Sequence, residues 1–272
     1  MSRRRFYVGP EWPAKVTDYD WLRSVGDADW AWEFLRRNPA YQRDHRLNRT
    51  ACEKPIRHAR DMLLTRTRRR CRRAEAWDLY AFVDPTLSDR KAPVTWLPSS
   101  KLPIMAARAD RLSTGPDADF RVDAFPGLAS IHIDPHGRQH LVIKSGTRRV
   151  TICFRGAPVA VAPARVTFEL AGLAALFAAQ RYIAILHHLL FEDATPAPID
   201  WTTTALEKRD ALIALDAHSN NFSHREVAVM IYGATKVDAE WVADGCELKD
   251  YVRRCRTRGV RYMQGGYRRL LR

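Results

Sequence analysis

The alternation of hydrophobic and polar positions is clearest near the carboxy-terminal end, where it predicts two successive helices. Apolar residues recur at helical spacing over residues 205–217. A second, shorter helix is expected over residues 224–232. Its start is indicated by Ser223 and Glu226, whose spacing allows a capping box, and its end by Gly233.

A third predicted helix, over residues 248–263, carries an apolar seam between two cationic stripes. It follows a polar loop, residues 234–247, which is longer than the three or four residues usual in a helix-turn-helix. At 3.6 residues per turn, one face collects Leu248, Val252, Cys255, Gly259 and Tyr262. The flanks collect Lys249, Arg253 and Arg256 on one side and Arg254, Arg258 and Arg261 on the other. This order of helices predicts a helix-turn-helix variant whose basic helix enters the major groove of DNA, although a merely solvated basic face is the alternative.

In the middle of the chain the pattern changes to the two-residue period of strands. Residues 128–134, 139–144 and 149–154 are rich in β-branched side chains and are separated by turn residues, which predicts an antiparallel meander. The apolar stretch Leu170–Phe191 is interrupted by polar residues, and we expect it to be a buried helix covering the sheet and not a membrane span.

The amino-terminal region is dense in aromatic residues at helical spacing. Trp30, Phe34 and Arg37 share one side of a helix predicted over residues 28–37, and Pro39 ends it. We expect these aromatic side chains to form the core of a small helical module.

Together these elements predict an α+β protein with three domains. The first is an amino-terminal basic helical and aromatic module over residues 1–75. The second is a central antiparallel β-meander covered by a long helix, residues 76–196. The third is a carboxy-terminal helix-turn-helix-like domain that binds DNA, residues 197–272.

The net formal charge of +14 is concentrated at the two ends of the 272-residue chain. Residues 1–75 contain 19 basic and 10 acidic side chains, and residues 201–272 contain 13 and 9. Residues 76–200 are nearly neutral, with 13 and 12. This partition favours a polyanionic partner, and nucleic acid above all.

Residues 66–73 form an arginine-rich run without an acidic residue. Its arginines can contact phosphate without reading sequence, while a solvated helix end or a flexible linker is the alternative. The full set predicted to contact nucleic acid is Arg66, Arg68, Arg69, Arg70, Arg72, Arg73, Arg225, Lys249, Arg253, Arg254, Arg256, Arg258, Arg261, Arg268 and Arg269.

Motifs of common enzymes are missing from the sequence. It contains no phosphate-binding P-loop, no nucleophile elbow and no zinc-protease helix motif. His132, His136 and His140 with Asp134 are the best metal candidates, but a predicted turn separates the outer two histidines, so we predict no metal site. The five cysteines have no C-x-x-C spacing, which indicates reduced thiols. We expect a cytoplasmic, non-enzymatic protein without a cofactor, a signal peptide or a membrane partner.

Both ends of the chain resemble a proteobacterial family of transcriptional regulators. Trp30–Tyr41 and Trp77–Trp96 are similar to the leading segments of this family. Ser223–Ala228, Leu248–Arg256 and Gly265–Leu271 are similar to its closing domain, long catalogued as a domain of unknown function. The family includes activators of the excision and transfer of integrative and conjugative elements, and activators of secretion-system genes.

The resemblance implies a sequence-specific DNA-binding regulator, an activator of mobile-element transfer or secretion-type genes. It also implies a homo-oligomer that binds double-stranded promoter DNA and contacts RNA polymerase or a regulatory protein. Two other classes stay open on the residues alone. One is a protein-interaction module or antiactivator whose basic faces meet an acidic partner. The other is an RNA-binding protein, since basic stretches do not separate RNA from DNA.

Overall fold

The computed structural model describes residues 7–48, 55–58, 62–98, 102, 104–111, 120–125, 128–145, 148–170, 172–191, 200–241 and 247–272. The strands within these ranges are β1 (Ile56–Arg57), β2 (Leu63–Arg66), β3 (Met105–Arg111), β4 (Leu128–Ile133), β5 (Gln139–Ser145), β6 (Arg148–Gly156) and β7 (Ala164–Glu169). The α-helices are α1 (Asp27–Leu35), α2 (Pro39–Leu47), α3 (Arg72–Glu75), α4 (Leu173–Phe191), α5 (Thr203–Ser219), α6 (His224–Tyr232), α7 (Ala234–Glu240) and α8 (Glu247–Met263). Short 3-10 helices cover Val16–Ser24, Val122–Ala124 and Gly266–Leu271. The α+β class, with helices at both ends, is confirmed.

Two compact units make up the structure. The first combines the described residues of Met1–Arg43 with those of Pro198–Arg272, and the second lies within Asp44–Ala197. Helix α1 therefore belongs to the same unit as helices α5 to α8. The division at residues 75 and 196 stays a prediction about which segments fold independently.

The second unit is built on a mixed sheet with the strand order β1-β2-β4-β5-β6-β3-β7 among the described residues. Strands β4, β5 and β6 pair as the predicted antiparallel meander. Strand β2 pairs with β4 in parallel, and β3 pairs with β6 in parallel.

Four of these strands, β1, β2, β3 and β7, were not predicted. Strand β3 is rich in alanine, which has a low preference for strands, so its conformation depends on pairing with β6 and β7. Strand β1 precedes the arginine-rich run, and β2 includes its first arginine, Arg66, so the run begins in a strand.

One face of the sheet forms the main hydrophobic core of this unit. The fully buried side chains of Ile131, Leu141 and Phe154 lie in a cluster that also contains Tyr182 and Leu186 of α4. The predicted covering helix is therefore confirmed, with the bounds Leu173–Phe191. The expectation that it is buried is wrong for its outer face, where Leu173, Leu176 and Ile183 are exposed. None of the described helices combines the length and the apolar character that crossing a membrane requires.

The opposite face of the sheet buries polar side chains. The ring nitrogen Nε2 of His132 lies 3.1 Å from the Thr67 hydroxyl, and that of His140 lies 3.3 Å from the Asp134 carboxylate. The Tyr80 ring covers His140 at 4.3 Å between ring centroids. Within the described residues no group of histidine, cysteine and acidic side chains could hold a metal ion. Cys153 and Cys255 are free thiols, while Cys52 and Cys246 lie outside the described residues.

Candidate nucleic-acid interface

Helix α5 is the platform on which the carboxy-terminal helices are assembled. The Thr202 side chain accepts a hydrogen bond from the Ala205 amide and so caps its first turn. Every residue from Asp210 to Ala217 is buried. Gly259 of α8 crosses α5 so closely that an added Cβ atom would lie 2.3 Å from the Ala211 carbonyl oxygen.

Helix α6 has the bounds and the capping box that the sequence predicted. The Glu226 amide donates to the Ser223 hydroxyl at 3.3 Å, and the Glu226 carboxylate accepts from the Ser223 amide at 2.7 Å. Gly233 ends the helix with a positive φ of 87°, which favours glycine.

The predicted loop over residues 234–247 is wrong in its first half, because α7 begins directly after Gly233. This helix is anchored by Val237, which is fully buried. Residues 242–246 lie outside the described residues. The α6–α7 connection is therefore a single residue, and α7 separates the capped helix from the basic helix.

The apolar seam of α8 is confirmed. Leu248, Val252, Cys255 and Gly259 are buried in the first unit. The fifth member, Tyr262, is half-buried and stacks on Phe34 of α1, with 4.7 Å between ring centroids. The aromatic residues near the amino terminus thus form one core with the basic helix.

A buried ion network joins α1 to α5. The Arg37 guanidinium donates to both carboxylate oxygens of Asp216, at 2.6 and 2.9 Å, and to Glu33 at 2.7 Å. The Tyr19 hydroxyl also donates to Asp216, at 2.9 Å. Burial, followed by the Asp216 charge, raises the pKa of Tyr19 well above its usual value, so the hydroxyl remains a donor.

Asn38 connects the start of α2 with the end of α8. Its side-chain amide donates to the Met263 carbonyl at 2.8 Å, and its side-chain oxygen accepts from the Ala40 amide at 2.8 Å. One side chain therefore satisfies a carbonyl at the end of α8 and an amide in the first turn of α2.

The predicted cations of α8 differ in their interaction partners: some have no ion pair, some pair with a carboxylate, and one contacts a histidine ring. Lys249, Arg254 and Arg261 are exposed and make no ion pair within the described part of the chain. Arg253 lies 3.1 Å from Asp250, and Arg258 lies 3.1 Å from Glu207 of α5. The remaining cation of this helix, Arg256, is half-buried and donates to the His218 ring at 2.9 Å.

The other predicted cations of this unit lie outside α8. Arg225 of α6 is exposed and pairs with Asp238 of α7. Arg268 stacks on the Tyr267 ring, with 4.9 Å between the guanidinium carbon and the ring centroid, and Arg269 is exposed. Lys236, which is not among the predicted cations, is exposed on α7 beside the Tyr232 ring. The prediction of a loop over residues 234–247 gave this position no helical face.

The arginine-rich run belongs to the second unit. Arg66 ends β2, and Arg72 and Arg73 open α3. All six arginines of the run are exposed, and Arg70 pairs with Glu75 at 2.7 Å. The predicted cations are thus divided between the two units.

Comparison with known protein families gives two matches. Residues 168–272 match a RovC-type family described as a T6SS transcription factor DNA-binding domain. Residues 12–73 match a family described as a proteobacterial transcriptional regulator-like domain. Both families are those of transcription regulators, which confirms the resemblance seen in Trp30–Tyr41 and in the closing domain. The predicted similarity of Trp77–Trp96 lies outside both matched ranges. A search of curated proteins finds no match to this chain.

Proposed function

We propose that this chain, a DNA-binding transcriptional regulator, recognises a specific promoter sequence with α8 and activates genes of mobile-element transfer or secretion. The exposed face of α8 carries the proposal. Lys249, Arg254 and Arg261 are free of ion pairs there among the described residues, while the opposite seam is buried. A cationic helix with a fixed orientation can place its side chains against base edges.

In this proposal the remaining cations contact the DNA backbone and do not distinguish one base sequence from another. Arg253 and Arg258 are each paired with a carboxylate, so each must break that ion pair before it can bind a DNA phosphate. Arg225 is similarly engaged by Asp238. The exposed arginines of residues 66–73 would contact backbone phosphates and add to the salt dependence of binding.

Self-association is part of the proposal, since many regulators bind repeated half-sites as symmetric oligomers. The feature that supports it is the outer face of α4. Leu173, Leu176 and Ile183 expose 84%, 52% and 53% of their surface there. In this scheme the bound regulator contacts RNA polymerase or another regulatory protein and performs no chemistry of its own.

The test is binding to DNA from the upstream region of the gene, compared with a scrambled duplex at two salt concentrations. We expect a dissociation constant of about 10⁻⁸ M or tighter for the upstream DNA, weakening steeply with salt. Arg254→Ala should cost about 1–3 kcal/mol mainly on the upstream DNA. Arg23→Ala, which removes an exposed arginine from the same unit, is the matched control.

Equal affinity for both duplexes would contradict sequence-specific recognition. If, in addition, a protein partner with an acidic surface stayed bound after nuclease digestion, the interaction-module or antiactivator function would replace this proposal. Loss of all partners on digestion would count against that alternative.

A further inference from the structure

A groove of about 260 Å³ opens between α5, α6 and α8. Its floor is apolar, formed by Ala214, Val227 and Val252, all of them buried. The other residues that line it are His218, Phe222, Ser223, His224 and Arg256. No acidic side chain is among the lining residues, so the only groups that can carry charge there are cationic.

Arg256, His218 and His224 converge at the groove, and the carboxylate beside them, that of Glu226, is engaged by the amide and the hydroxyl of Ser223. Arg256 donates to Nε2 of His218 at 2.9 Å, which requires that nitrogen to be unprotonated. Partial burial, then the charges of Arg256 and His224, lower the pKa of His218. Unlike Arg253 and Arg258, Arg256 has no acidic partner among the described residues.

The groove adjoins a cationic flank of α8, so one ligand can contact both the groove and this flank. Arg256 lies on the same flank of α8 as Lys249 and Arg253, because residues three and four apart are neighbours on a helix surface. The groove also lies at the first turn of α6, where the amides of His224 and Arg225 have no acceptor within the helix. Both features favour an anion with several oxygen acceptors.

We propose that this groove binds a phosphate group through Arg256, His218 and His224. This inference rests on the proposed function: the phosphate is one of the DNA backbone. Its contact with the groove determines which flank of α8 faces the duplex. A free phosphate is the other source of the same chemistry. Ser223 and His224 then contribute to binding in addition to starting α6.

The first experiment measures DNA binding by Arg256→Gln, with Arg256→Lys as the charge-retaining variant and Arg23→Gln as the matched control. Arg256→Gln should weaken binding to upstream and scrambled DNA by the same factor. It should also lower the slope of log K against log salt by about one unit. Arg256→Lys should keep most of the slope, and Arg23→Gln should behave like the unchanged protein. Circular dichroism checks that each variant is folded.

The second experiment uses inorganic phosphate and follows the ring protons of His218 and His224 by NMR, with chloride at equal ionic strength as reference. Saturable shifts in the unchanged protein that are absent in Arg256→Gln support the site. If phosphate leaves both rings unaffected and the salt slope of Arg256→Gln equals that of Arg23→Gln, the groove proposal is overturned while the proposed function stands. If the protein binds no DNA but phosphate shifts both rings, the groove stands as a site for free phosphate and the proposed function fails.

Discussion

Asp216 is the residue on which the charged network of the first unit converges. Its carboxylate accepts hydrogen bonds from Arg37 and Tyr19, and both ion-paired side chains are about 95% or more buried. A buried pair of this kind adds little net stability compared with apolar residues, but losing one member leaves the other charge without compensation.

Asp216→Asn should therefore destabilise the folded protein by about 3–5 kcal/mol, because the buried guanidinium groups of Arg36 and Arg37 would then share the single carboxylate of Glu33. The free energy of unfolding is measured by urea denaturation. Asp238→Asn is the control, since its pair with Arg225 is exposed and should contribute less than about 1 kcal/mol. Equal losses in the two variants would contradict the role given to Asp216.

His132 is a second residue whose environment has a measurable consequence. Burial, and then the neighbouring His140, lower its pKa from 6.5 to about 4. The unfolded chain therefore binds a proton at a higher pH than the folded chain does. The stability contributed by the neutral ring is complete above about pH 6.5 and is lost as the pH falls toward 4.

We expect the free energy of unfolding to fall by about 3 kcal/mol across this window on account of His132. The groups that face the ring are Thr67, Tyr80, Asp134 and His140. Urea midpoints between pH 4 and 7 measure the slope, which should be shallower in His132→Gln. His136→Gln, on the exposed turn, is the control. Identical slopes in His132→Gln and the unchanged protein would refute the assignment.

At the scale of elements, the crossing of α5 and α8 determines how the basic helix is presented. Gly259 permits the close approach because it has no Cβ atom, and Val252 and Cys255 fill the rest of the seam. Burial, then the Asp210 carboxylate, raises the pKa of Cys255 to about 11, so its thiol stays neutral in the seam. The charged flanks of α8 are thus oriented by an uncharged contact surface.

Gly259→Ala should push α8 away from α5 and cost about 1–3 kcal/mol, although alanine favours helices by about 1 kcal/mol over glycine. Urea denaturation measures the loss, and the preference for upstream over scrambled DNA should narrow with it. Thr257→Ala, at an exposed position of the same helix, should change stability by no more than about 0.5 kcal/mol. A stabilised Gly259→Ala protein would show that the crossing tolerates a methyl group.

At the scale of the whole molecule, the first unit is assembled from the two ends of the chain. Phe34 stacks on Tyr262, Asn38 donates to the Met263 carbonyl, and Arg37 neutralises Asp216. The carboxy-terminal helices therefore obtain part of their core and one buried counter-charge from residues near the amino terminus.

A fragment of residues 198–272 should consequently be poorly folded when it is expressed alone. A peptide of residues 7–48 should restore helical structure when it is added, because it supplies the missing aromatic core and Arg37. Circular dichroism and thermal melting measure both effects, with an Arg37→Ala peptide as the matched control. Cooperative melting of the fragment alone, at the temperature of the full chain, would contradict this dependence.

The sequence alone determined features that depend on neighbouring residues. The capping box of Ser223 and Glu226, the stop at Gly233, the seam of α8 and the meander of β4 to β6 were all predicted. Each rests on hydrogen bonds or periodicity within a few consecutive positions, so its signal is present in the local sequence. The family resemblance of both ends had the same local basis.

The tertiary structure alone decided the features that join distant residues. Arg37 and Asp216 are 179 positions apart, and neither residue type indicates its partner. The strand character of β3 comes from its neighbours β6 and β7, and α7 is anchored through buried Val237. The groove of His218, His224 and Arg256 likewise needs three helices to be assembled. Such contacts form only when distant segments pack against each other in the folded protein. The residue types at consecutive positions do not specify which distant segments these are.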